Sequence, residues 1–281
     1  FYFPLWRTTV RRRLKPRSAY IIGIPSDIHL AIAHQPTLEC FKDWVADVKP
    51  DELYFNGDTF DFAQLGRYPK GAKTAPYAIE EVKMGVEFIN WCWQHTGRIR
   101  MQKGNHCKRW ERVVYGDNGM ALKDAKGLKL EDQCLAYGMD PRTEWFEEKA
   151  ATPGIYLAEN VGARHGDLQS GKNGTAPVNM ATARLNKNQG VSEFVGHHHR
   201  VQLAFRTAWE RTSFVMTLPT MANFEDYMPG ADWQHGWGTL TVVKPGRGAP
   251  EGAVTVTAPG VILVQRGQAL WGDRVYGRYT P

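Results

Sequence analysis

The chain has 281 residues, of which 42% are apolar and 23% charged, and its formal net charge is +6. That composition supports a packed core, and the length suits a single α/β domain as well as two smaller ones. No apolar run is long enough to span a membrane, there is no low-complexity run or internal repeat, and the excess of Lys and Arg favours anionic partners.

In chain order, residues 1–18 form a basic arm with Arg11, Arg12, Arg13, Lys15 and Arg17. Its apolar and basic parts stand in the wrong order for a signal peptide. Residues 19–281 read as one domain. A strand over 20–24 (YIIGI) runs into Asp27. Leu38, Phe41, Val45 and Val48 recur at helical spacing and stop at Pro50-Asp51. A second strand, LYF at 53–55, runs into Asp58. Ile79, Val82, Val86, Ile89 and Trp93 predict the next helix, with Gly97 as its C-cap, and 98–102 predicts the strand before Gly104-Asn105-His106. Residues 107–154, rich in charge and aromatics, read as a helical insertion beside this site. After EFVG at 193–196 the pattern turns to strands, at 201–207, 212–217, 237–243, 253–257 and 260–265. A βαβ half followed by a mostly β half predicts two sheets packed face to face with helices outside.

Five segments carry metal-ligand residues: Asp27-Ile28-His29, Gly57-Asp58, Gly104-Asn105-His106, His165-Gly166 and Gly196-His197-His198-His199. Most stand where a hydrophobic run stops, and open α/β sheets gather ligands beyond the carboxyl ends of their strands. Asp27, His29, Asp58, Asn105, His165, His197 and His199 make seven N and O donors without sulfur. With one bridging carboxylate they suffice for two metals, of the type that clamps the attacking and leaving oxygens of a phosphoryl group. Imidazole mixed with carboxylate suits Mn, Fe, Zn or Ni.

The order D-x-H, G-D, G-N-H, H-G, G-H-x-H resembles the calcineurin-like metallophosphoesterase family over residues 20 to 200. The resemblance implies a four-layer αββα sandwich of two mixed β-sheets flanked by helices. It implies one divalent transition metal on Asp27, His29, Asp58 and His199, and a second on Asp58, Asn105, His165 and His197, with Mn the leading candidate. It implies hydrolysis of a phosphomonoester or phosphodiester by in-line attack of a hydroxide bridging the metals, with His106 as general acid and Asp61 orienting it. Two departures stand out. Cys107 replaces the acidic residue that often follows G-N-H, and Phe62 replaces the phosphate-binding Arg of the protein phosphatase branch. Arg67, Arg109, Arg164 and Arg200 are the candidates to replace that Arg; Asn105, Arg109 and Arg200 are the expected substrate contacts.

His34, His95 and His235 lack motif context and read as structural, and His198 as pointing away from the metals. Cys40, Cys92, Cys107 and Cys134 form no C-x-x-C pair, so free thiols and a cytoplasmic location are expected. The basic arm and the ten Trp residues point toward a nucleic acid or nucleotide substrate. Asp232 to Trp237, DWQHGWG, resembles stretches of phage-type members of the family. The other reading is a catalytically idle nucleic-acid-binding module on the same fold.

Overall fold

In the computed structural model, residues 19–66, 76–116, 127–147, 155–167, 190–208, 211–223, 230–244 and 255–279 are described. The basic arm at 1–18, Arg67 and parts of the 107–154 segment lie outside them.

Strand β1 (Ala19–Ile24) alternates its apolar side chains between two cores. Ile21 joins the core under the helices, whereas Ile22 and Ile24 join the core between the sheets. Helix α1 (Gln35–Val48) has Pro36 in its first turn and ends where Lys49 turns left-handed at φ 48°. Phe41, Trp44 and Val45 are its buried face. Strand β2 (Glu52–Asn56) sends Leu53 and Phe55 to the helical side and Tyr54 to the inner side. Helix α2 (Ala78–Trp93) buries Val82, Val86, Phe88, Ile89 and Cys92. It ends at Gln94 rather than at Gly97, whose N–H instead bonds Asp51 O at 3.2 Å. Strand β3 (Ile99–Lys103) follows.

The 107–154 segment is not wholly helical. It holds α3 (Lys108–Tyr115) and α4 (Leu130–Ala136), and also β4 (Glu144–Glu147), which pairs in parallel with β3. Buried Lys103 ties these pieces together, with its ammonium 2.5 Å from Glu111 of α3, 2.5 Å from Glu131 of α4 and 3.4 Å from Glu147 of β4.

The remaining strands are β5 (Ile155–Ala158), β6 (Val161–Arg164), β7 (Ser192–Val195), β8 (Gln202–Ala208), β9 (Arg211–Thr217), β10 (Gly236–Val243), β11 (Val256–Gln265), β12 (Gln268–Trp271) and β13 (Arg274–Gly277). They complete two mixed sheets, one of eight strands in the order β13-β12-β11-β10-β1-β2-β3-β4 and one of five in the order β5-β6-β7-β9-β8. The expected α/β class with two mixed, facing sheets and flanking helices is the fold observed. Ile22, Ile24, Tyr54, Phe194, Phe214, Met216 and Leu240 fill the space between the sheets. The described helices that bury apolar faces do so on the larger sheet.

The strands expected at 253–257 and 260–265 are one, β11, running through Pro259. Strand β12 meets β11 only at Val264 and Gln265, so Pro259 sits where β11 has β10 on one side alone among the described residues. A proline there costs no ladder bond on the open side. Among the described residues, no helix is long and apolar enough to cross a membrane.

Candidate metal centre

Strands β1, β2, β3, β6 and β7 end at one place, and each hands over to one of the five motifs. The loops that follow are tight. Asp27, His29, Asp58, His197 and His199 all adopt left-handed backbone, with φ between 47° and 67°. Such conformations cost energy in non-glycine residues and cluster at functional sites.

The side chains form three overlapping groups whose donor atoms lie within 4.8 Å of one another: Asp27, Asp58, His165 and His197; Asp27, His29 and His199; and His29, Asp58 and His106. All of the His and Asp ligands expected from the sequence are thus gathered. Asn105 joins them through Oδ1, which is 3.0 Å from His165 Nε2. Asp27 as well as Asp58 falls between groups, whereas the sequence reading gave the shared role to Asp58 alone.

The donor chemistry fits a cation. His165 Nδ1 donates to Asn56 O at 3.0 Å, so Nε2 is the ring nitrogen that faces the cluster, toward two acceptor oxygens. These are Asp58 Oδ2 and Asn105 Oδ1, both 3.0 Å away. Two acceptors facing one ring nitrogen call for positive charge there, either a proton on Nε2 or a cation bound to the neutral ring. Burial alone lowers the pKa of His165, but Asp58 and Asp27 outweigh it and push the imidazole up to about 10. Burial likewise opposes ionisation of Asp27, yet His199 and His165 hold it well below the usual carboxylate range. Burial and the cationic field of His165 depress His197 to about 4. His199 Nε2 lies 3.0 Å from Asp27 Oδ1. Gly104 completes the cradle, because a Cβ there would run into the Asp58 carboxylate and backbone N.

Around this cluster stand residues that fix it. Asp61 Oδ1 accepts from His29 Nδ1 at 2.9 Å and faces His106 Nδ1 at 2.8 Å, so it orients a candidate ligand as well as the candidate acid. Asp58 Oδ1 accepts the His106 N–H at 2.8 Å, leaving Oδ2 for the cluster. Ser26 Oγ donates to Asp27 Oδ2, and the His197 N–H bonds the same oxygen at 3.0 Å. Buried Glu81, from α2, accepts the backbone N–H groups of Asp61 and Phe62. Burial pushes its carboxyl up to about 7, despite those bonds. Ser26, Asn56 and Glu81 are absent from the sequence reading, and Trp233 enters it only within DWQHGWG, without a place in the site. Ser26 and Asn56 had adjacency to a motif as a signal; Glu81 had none.

The arginines separate clearly. Arg109 Nη2 lies 3.0 Å from His106 Nε2, and its Nη1 donates to Asp61 O at 2.9 Å. Arg164 is buried against Glu193. Arg200 pairs with Asp232 at 2.6 Å and does not line the cleft. His34 and His235, read as structural, stack on each other with centroids 3.9 Å apart. Cys107 is buried, and burial with the nearby Asp58 pushes its thiol up to about 12, so it is inert.

The cluster opens into a cleft of about 180 Å³. It is lined by the polar His29, Asp58, His106, His197 and His199 and also by Ile32, Ala222, Asn223 and Trp233.

The chain matches no protein-family model. It is similar to the Gene 54 protein of Mycobacterium phage D29, at 24% identity over 245 residues covering 80% of this chain and 91% of the relative. Its similarity to the Gene 54 protein of Mycobacterium phage L5 is 23% over 244 residues, with the same coverage of 80% and 91%. Among solved structures it is similar to Vacuolar Protein Sorting 29 from Cryptosporidium parvum, with TM-score 0.45, 8% identity, and 92% and 99% of the two chains covered. For Vps29 of Chaetomium thermophilum the TM-score is 0.38, with 10% identity, and 88% and 98% covered.

Proposed function

We propose that this chain is a dinuclear, metal-dependent phosphoesterase of the calcineurin-like kind. The observation that carries the reading is the meeting of residues up to 172 positions apart, Asp27 and His199, in one buried cluster with His106 at its mouth. Asp27, His29, Asp58 and His199 would hold one ion, and Asp58, Asn105, His165 and His197 the other. Two divalent transition ions, manganese foremost, would supply an activated nucleophile and neutralise charge on the phosphoryl oxygens.

The protein's own residues do the rest. Asn105 and Arg109 would supply donors to the equatorial phosphoryl oxygens, a role supported by Arg109 Nη2 lying 3.0 Å from His106 Nε2. His106, once protonated on Nε2, would give that proton to the leaving oxygen while Asp61 holds its Nδ1. The apolar lining residues Ile32, Ala222 and Trp233 would help exclude water beside the reacting centre.

The test is hydrolysis by the manganese-loaded chain of a panel holding a phosphomonoester, a phosphodiester, a nucleotide and DNA. Turnover of at least one, lost on chelation and regained with manganese, is expected. Nucleic-acid binding without turnover of any ester would instead favour the idle module.

A further inference from the structure

We propose that Trp233 is a stacking wall for a nucleobase, so that the esters taken by this centre are nucleoside phosphoesters. The inference rests on the phosphoesterase reading for the position of the phosphate. The described Trp residues divide sharply. Trp44 and Trp237 are fully buried in the core, and Trp91, Trp93, Trp110, Trp145 and Trp271 pack against it. Trp233 alone among them lines the cleft. Its ring centroid lies 4.3 Å from that of His199, with the two planes at 86°.

Trp233 is also held in place from both sides. Asp232 pairs with Arg200 at 2.6 Å, directly after the His triplet. The Gln234 N–H donates to His199 O at 3.0 Å, and Gln234 Oε1 accepts the Val201 N–H at 2.8 Å. Gln234 O accepts from the Thr220 N–H at 3.0 Å. Arg200, expected from the sequence to touch substrate, instead anchors the segment that carries this ring. An aromatic side chain fixed before the ligand arrives loses little freedom on binding, which favours it as a platform.

The rest of the wall agrees. Ile32 and Ala222 are apolar, and Asn223 brings an amide, donor and acceptor in one group, to the same cleft. A ligand with phosphate toward His29, Asp58 and His199 and a flat heteroaromatic toward Trp233 matches both kinds of lining. A sugar phosphate without a base would leave Ile32, Ala222 and Trp233 facing water. Base–aromatic stacking tolerates any base, so the wall selects nucleosides as a class.

The experiment is calorimetric binding of AMP, ribose 5-phosphate and phenyl phosphate to the manganese-loaded full chain, with ligand integrity and metal content checked in each case. It compares the parent, Trp233→Ala and Trp233→Phe. In the parent, AMP should bind roughly 5- to 100-fold more tightly than ribose 5-phosphate, the span of one base–aromatic stack. That ratio should fall toward one in Trp233→Ala and recover in Trp233→Phe. Equal affinity for AMP and ribose 5-phosphate in the parent, or an unchanged ratio in Trp233→Ala, overturns the proposal. Phenyl phosphate binding as tightly as AMP also overturns it, in favour of aryl phosphates. If the chain hydrolyses no ester but keeps the Trp233-dependent preference for AMP, the phosphoesterase reading fails and the nucleoside site stands.

Discussion

Arg109 Nη2 lies 3.0 Å from His106 Nε2, and a guanidinium can only donate. His106 Nε2 therefore accepts, and the ring proton sits on Nδ1, 2.8 Å from Asp61 Oδ1. Burial, then His29, lowers the pKa of His106 and keeps this neutral form. To protonate a leaving oxygen, Nε2 must be released by Arg109 and take up a proton from solvent, giving an imidazolium that Asp61 at Nδ1 would stabilise.

His106→Ala should therefore slow hydrolysis of esters with poor leaving groups by about 10²- to 10⁴-fold, the range of general acid catalysis. With nitrophenolate, which leaves without a proton, the loss should be much smaller. Steady-state rates on an alkyl and a nitrophenyl ester decide this. Equal losses on both would mean that His106 positions phosphate instead.

Asp61 binds His29 as well as His106, and this separates two roles that the sequence merges. Removing the carboxylate in Asp61→Ala should weaken manganese binding by roughly 10- to 100-fold, because His29 loses the acceptor that sets its tautomer. His106→Ala should leave metal affinity near that of the parent. Manganese titration of both variants is the check, and an unweakened Asp61→Ala would confine Asp61 to the acid.

Glu81 gives a pH signature of stability. Its folded pKa, about 7, lies above the ordinary value of 4.5. The native state thus holds the proton more tightly, and this stabilisation is full below about pH 4.5 and lost as pH rises through about 7. The loss is on the order of 3 kcal/mol. Glu81→Gln should start less stable at pH 5, having one acceptor oxygen for two backbone N–H groups, and should close that gap by pH 8. Urea unfolding of the metal-free proteins at the two pH values tests this; parallel profiles would contradict it.

The gathering of the five motifs was legible because each follows a buried strand, and a parallel sheet sends consecutive strand ends to one edge. Helices α1 and α2 were legible from their apolar spacing. Strand β4 was not, since Glu144 and Glu147 make its four residues look like part of a charged helix. Strands β12 and β13 were missed because each is four residues long, too short for a period to register. Glu81 looks like any acid in the first turn of a helix, and only the fold brings it to Asp61, 20 positions earlier. Trp233 was noticed within DWQHGWG, but its place beside His199 depends on hydrogen bonds of Gln234 that no local pattern announces.

The most direct test of the central claim is hydrolysis of a nitrophenyl phosphoester by metal-free protein as manganese is added. Activity should rise from none, climb to two equivalents of manganese per chain and then stop, and Asp58→Asn should weaken uptake of both ions. Full activity in the chelated protein, or none at any manganese concentration, would contradict the account.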